Sequence, residues 1–220
     1  MDITLDGSNG RIQASYHPSG DRTAPIAVVF HDMPSQGGSM NEPVAYTLFY
    51  TFLKKGFSVL RFNFRGVGAT EGEFEGGEPE LADASTAVDW IQRENEEARQ
   101  FWLAGVGFGA WIALQMLMRR IEVTNYIVAR PPYKKFDLSF FNPAPCPGLV
   151  IGASEDQQPN EETLKAFIQV INRQRAGKAT LAMIPGADAS FRDRLGPLHA
   201  AAGAYVDKLK DMPPARAERL

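Results

Sequence analysis

Short runs of branched and aromatic residues recur along this chain, each too brief for a helix and most of them separated by a segment with helical period. The runs are Arg11–Tyr16, Ile26–Phe30, Ser58–Phe62, Phe101–Ala104, Tyr126–Ala129, Gly148–Ile151 and Thr180–Ile184. The periodic segments are Pro43–Lys55, Glu80–Arg93, Gly109–Arg119, Glu161–Arg173 and Leu195–Lys210. After the weakly alternating first run the others are continuously apolar, as strands covered on both faces are. Strands alternating with helices make βαβ crossovers, so the pattern predicts an α/β fold with a mostly parallel, doubly wound sheet flanked by helices. Residues before Arg11 read as a polar start. No repeat or linker divides the chain, which predicts one domain over residues 1–211. Pro213-Pro214 ends any helix, and the Arg/Glu/Ala remainder has little to bury, so residues 212–220 are expected to form a flexible tail.

The charge balance removes several classes of function. With 23 Lys and Arg against 26 Asp and Glu, the 220-residue chain carries a net charge of −3 and has no positive field to draw it to nucleic acid or an anionic membrane. Cys146, the single cysteine, cannot form an internal disulfide. His17, His31 and His199 lack metal-ligand spacing, so neither a metal nor a cofactor is expected. Met1–Leu5 lacks the basic and apolar regions of a secretion signal, and no apolar run approaches the roughly 18 residues of a membrane helix, which predicts a cytoplasmic protein.

Chemistry is most legible at Phe101-Trp102-Leu103-Ala104-Gly105-Val106-Gly107-Phe108-Gly109-Ala110-Trp111. A strand, a tight turn of small residues and a helix in succession form the outline of a nucleophile elbow, whose central residue stands above the sheet at a helix N-terminus. The central residue is Gly107. The same stretch loosely matches a dinucleotide-binding turn, but it falls late in the chain, and the next strand ends in Ala129-Arg130-Pro131 with no acidic residue to hold a ribose.

Further segments carry a resemblance over nearly the whole chain. Phe30-His31-Asp32-Met33-Pro34 with Gly37-Gly38-Ser39-Met40-Asn41, then Gly56-Phe57, and then Arg61-Phe62-Asn63-Phe64-Arg65-Gly66-Val67-Gly68 through Glu71-Gly72-Glu73-Phe74, resemble the small bacterial α/β-hydrolase family of lid-less serine hydrolases related to dienelactone hydrolases. The resemblance implies an α/β-hydrolase core without a large lid. It places the nucleophile on Gly107, the acid on Glu155 and the histidine on Ala189, within Pro185-Gly186-Ala187-Asp188-Ala189-Ser190-Phe191. It also puts Asp32 and Met33 where the family's loop after the third strand has proline and histidine. His31, Asp32, Met33 and Phe108 are thereby expected beside the pocket. Glycine and alanine supply neither nucleophile nor base, and a carboxylate at Asp32 would oppose a developing oxyanion.

These departures predict a catalytically degenerate member retained to bind a protein partner or a small ligand, and leave a homo-oligomer open. The alternative is a hydrolase of a small ester or lactone with a relocated active site, for which Ser35, Ser39, Ser154 and Ser190 are the serines near the site loops. Among the remaining residues, His31 is expected to be structural and Cys146 a small buried residue. Glu155 and Asp156 read as a solvated loop pair, and the run Glu71, Glu73, Glu75, Glu78, Glu80 as a solvated loop and helix start. Pro131–Phe141, with Tyr133, Phe136, Phe140 and Phe141 beside Lys134 and Lys135, is either an interaction surface or a cap on the core.

Overall fold

A computed structural model describes residues 1–133, 135–173 and 178–212; the expected tail beyond Met212 lies outside them. Eight strands form one sheet: β1 (Asp2–Gly7), β2 (Gly10–His17), β3 (Ile26–Phe30), β4 (Ser58–Phe62), β5 (Phe101–Val106), β6 (Asn125–Ala129), β7 (Gly148–Ala153) and β8 (Ala179–Ile184), in the order β1-β2-β4-β3-β5-β6-β7-β8. β1 and β2 form an antiparallel hairpin, β2 pairs antiparallel with β4, and all later pairs are parallel. Five helices cover it: α1 (Pro43–Lys54), α2 (Glu78–Glu94), α3 (Phe108–Arg119), α4 (Glu161–Ile171) and α5 (Leu195–Leu209).

Although the central runs are apolar throughout, the pleat sorts them. Ile26, Val28 and Phe30 of β3 enter a core shared with α2, α3 and α4, while Ala27 and Val29 enter the opposite core under α1 and α5. Trp102 of β5 is fully buried on the α1–α5 side, edge-on to Phe52 and Phe57. Among the described residues no helix is long and apolar enough to cross a membrane.

Three expectations need correction. The polar start contains a strand, β1, missed because an edge strand buries one face and shows only Ile3 and Leu5 in alternation. α2 begins at Glu78 because Glu80, expected in solvent, is fully buried: its carboxylate accepts the Gly77 N–H at 2.7 Å and the Glu75 N–H at 2.9 Å, capping the helix. α4 stops at Ile171 because the Asn172 side chain pairs both ways with Ala179 of β8, donating to its carbonyl at 2.9 Å and accepting its N–H at 2.8 Å.

Candidate functional site

The carboxyl ends of β3, β5, β6 and β7 meet at one edge of the sheet, where the following residues Asp32, Gly107, Arg130 and Asp156 converge. Ligands of open α/β sheets bind at this edge. Gly107 lies at the tip of the β5–α3 turn with φ +52° and ψ −118°, a region that side-chain-bearing residues rarely adopt. Gly105 and Gly109 let the strand, the turn and β3 approach closely, since a Cβ at either would strike backbone. The strand, turn and helix thus have the geometry of an elbow, with Gly107 at its tip.

The space above the elbow is filled from another strand. A Cβ added at Gly107 would collide with Cγ and both carboxylate oxygens of Asp32. Oδ1 of Asp32 accepts the Phe108 N–H at 2.8 Å and the Met33 N–H at 2.7 Å. In an elbow hydrolase, the N–H after the nucleophile and an N–H from the loop after β3 form the oxyanion hole. Here both donors hold the chain's own carboxylate. Oδ2 lies 3.7 Å from Nη1 of Arg130, whose Nε donates to Asp156 Oδ2 at 2.6 Å. A cleft of about 250 Å³ opens over this row, lined by Asp32, Gly107, Phe108, Arg130, Tyr133 and Lys135 among others.

Glu42 supports Asp32 from below, accepting its backbone N–H at 2.7 Å through Oε1. Burial, reinforced by the charge of Asp32, pushes the Glu42 carboxyl up to about 8, so it is largely protonated at neutral pH. An acid whose folded pKa is raised contributes stability that is fully present below its ordinary value near 4.5 and is lost as pH rises through about 8. Glu42→Gln keeps the acceptor and removes the titration. Its unfolding free energy should gain on wild type by on the order of 4 kcal/mol between about pH 5 and about pH 9. Denaturant melts across that range check it, and a constant difference between the two proteins would refute it.

His31 does not line the pocket. It is wholly buried, with Nε2 accepting the Phe64 N–H at 2.9 Å and Nδ1 2.6 Å from the Asp32 carbonyl, the pattern of a neutral ring that donates from Nδ1. Burial lowers its pKa to about 4, and its bonds tie the end of β3 to the loop after β4. The second bonded histidine, His199, faces Thr51 Oγ1 at 2.7 Å on the α1–α5 side. Met33 and Phe108 do reach the cleft, Phe108 through a ring packed among Phe64, Phe74, Trp111 and Phe136.

The loops that carry Glu155 and Ala189 are joined: Glu155 N–H donates to the Ala187 carbonyl at 2.9 Å, and Gly186 N–H to Ser154 Oγ at 2.8 Å. Glu155 itself is exposed, however. Asp156, read as half of a solvated pair, turns inward to Arg130, because successive residues point to opposite sides. Arg130 was not singled out as a site residue. Its signal was its place directly after β6, at the edge where sites form. Of the aromatics offered as a surface, Phe141 is core, edge-on to Tyr126, and Phe136 packs against Phe108 and Trp111. Phe140 is half-buried, leaving Tyr133 as the exposed ring at 40 %. The segment is mainly a cap, because all four rings pack against other aromatic rings, Tyr133 edge-on to Phe167 and Phe140 edge-on to Phe141. Lys134 lies outside the described residues.

Comparison with known proteins agrees with this fold. Residues 11–134 match the model of the X-Pro dipeptidyl-peptidase (S15) family. An uncharacterized protein of Rickettsia prowazekii is 37 % identical over 194 residues, covering 86 % of this chain and 82 % of that protein. A structure from Agrobacterium tumefaciens, described as an α/β hydrolase of unknown function, superposes with a TM-score of 0.92 at 36 % identity over 97 % of this chain and 98 % of its own. A Xanthomonas campestris α/β serine hydrolase without a lid gives a TM-score of 0.82 at 26 % identity, with 94 % of each chain covered. With the elbow, the hole and the sheet order all in place, the chain belongs to the S15 family, as one of its small bacterial α/β-hydrolase members without a lid.

Proposed function

We propose that this protein carries out no acyl transfer and that its cleft is kept for binding. The observation that carries this reading is the Asp32 carboxylate, which occupies the space of a nucleophile's side chain while both hole donors are bonded to it. A substrate carbonyl would have to displace an anion from the donors meant for its own developing charge, and no side chain at position 107 would attack it. Ala189 supplies no base. The relocated-site alternative draws no support from the serines: Ser154 Oγ accepts the Gly186 N–H of the loop after β8, Ser190 Oγ donates to Asp188, and both bonded histidines face elsewhere. The same reading keeps the protein in the cytoplasm, where the lone buried Cys146 stays a thiol.

The expected result is that a fluorophosphonate probe leaves the intact mass unchanged and that p-nitrophenyl acetate is cleaved no faster than by heat-denatured protein. A stoichiometric adduct, or saturable turnover abolished by changing one serine, would replace this reading with the relocated-site enzyme.

A further inference from the structure

The cleft over Gly107 has a charge pattern that an acyl-transfer site does not require. Arg130 holds a backbone φ of +48°, a conformation a non-glycine residue adopts at a cost and keeps where its surroundings demand it. Its N–H is bound to the Ile151 carbonyl at 2.8 Å, and its Nε to Asp156. The guanidinium is thus clamped from behind, and its Nη1 stands 3.7 Å from Asp32 Oδ2, beyond hydrogen-bond reach. A fork fixed at Nε and facing a cleft is the arrangement in which arginine receives a carboxylate.

Lys135 is the cleft's other cation. Its Nζ rests on Met33 Sδ at 3.3 Å, and among the described residues it forms no ion pair with a carboxylate. Asp32 is the carboxylate on the cleft wall, and its Oδ1 is already paired with two backbone N–H groups. Asp32 and Asp156 balance the two cations, but both carboxylates are already engaged by Arg130 or by N–H groups, whereas Lys135 and the outer arm of Arg130 present open cationic donors, so an entering acid finds donors where an amine finds its acceptors taken. Met33, Phe108, Pro132 and Tyr133 supply apolar walls, and about 250 Å³ lies just under the size of sites for drug-like molecules.

We propose that this cleft binds a small carboxylate with an apolar body, its carboxylate held by Arg130 and Lys135. The proposal rests on the reading that the cleft is kept for binding, and it adds the ligand's class.

Three probes of one shape separate the charges: benzoate, benzamide and benzylamine, titrated calorimetrically into the full chain at low salt. Benzoate is expected to bind with a Kd of about 0.1–1 mM, benzamide about tenfold or more weakly, and benzylamine not measurably. Arg130→Gln and Lys135→Gln should each weaken benzoate about tenfold, the fold-change of one lost charge-assisted hydrogen bond. Lys135 is exposed, so its variant keeps the test valid if Arg130→Gln disturbs folding. The proposal is overturned by no benzoate binding at about 10 mM, ten times the weakest expected Kd, by equal affinities, by a preference for benzylamine, or by benzoate binding that Lys135→Gln leaves intact. None of these results bears on acyl transfer, which the fluorophosphonate probe decides separately.

Discussion

Asp83→Ala is expected to lower the unfolding free energy by about 3–5 kcal/mol, the cost of leaving one partner of a buried ion pair alone. Arg65 is 2 % exposed, and its guanidinium grips Asp83 with both arms of the fork, Nε to Oδ2 at 2.9 Å and Nη2 to Oδ1 at 2.8 Å, while Nη2 also donates to the Pro79 carbonyl. Glu80 lies 3.9 Å from Nε and Glu75 3.9 Å from Nη1, but Glu80 is committed to capping α2 and Glu75 is exposed to solvent, so together they offset only part of the stranded charge. The consequence reaches the cleft. Arg65 follows Phe64, whose N–H is held by His31, so the network that seats the start of α2 also fixes the loop beside the hole. Replacing both partners, Arg65→Met with Asp83→Leu, should recover most of the loss, since two apolar side chains strand no charge. Urea midpoints with unchanged slopes decide it. A loss under about 1 kcal/mol for Asp83→Ala would place this pair among solvent-screened surface bridges.

The fold was legible because its signal is repeated. Each central strand is an apolar run, each helix a periodic one, and their alternation admits few topologies. β1 was not legible, since half of an edge strand faces water and its pattern of two apolar residues falls below what periodicity detects. At the site, the elbow could be read because close packing of strand and helix demands glycine at Gly105 and Gly109. That Asp32 stands beside the elbow could also be read, from the resemblance of its loop to that of the family. Its occupation of the hole could not, because that depends on a contact between residues 76 positions apart in the chain. Glu155 and Asp156 show the same limit. Adjacent carboxylates in a loop carry no mark of which one turns inward, and the choice is made by Arg130, directly after β6. The Pro131–Phe141 aromatics were ambiguous for a related reason: an aromatic run looks alike whether it caps a core or meets a partner, and only the rings beneath it distinguish the two.

Gly107→Ser, which returns the ordinary nucleophile to the elbow, is expected to destabilise the protein by about 3 kcal/mol and to restore no esterase activity. Two costs add. A non-glycine residue at this φ is strained by about 1–3 kcal/mol, and inserting a side chain into occupied space costs typically about 1–3 kcal/mol more. Against them stands the roughly 0.5–1 kcal/mol that glycine's greater chain entropy loses on folding. Strain alone would give a loss near 1 kcal/mol after that offset; the carboxylate of Asp32, lying where the new Cβ must go, raises it. The two positions should therefore couple. In Asp32→Gly the hole donors lose their anion and the collision disappears, so adding Gly107→Ser to that background should cost only the backbone strain, about 1–2 kcal/mol. A double-mutant cycle on denaturant melts measures the difference. Even the coupled variant lacks a base at Ala189, so its ester turnover should stay at background until Ala189→His is added. If Gly107→Ser proved as stable as wild type, with no coupling to Asp32→Gly, the carboxylate would not be seated in the oxyanion hole, and the cleft would have to be reassigned from an internally occupied site to an open one.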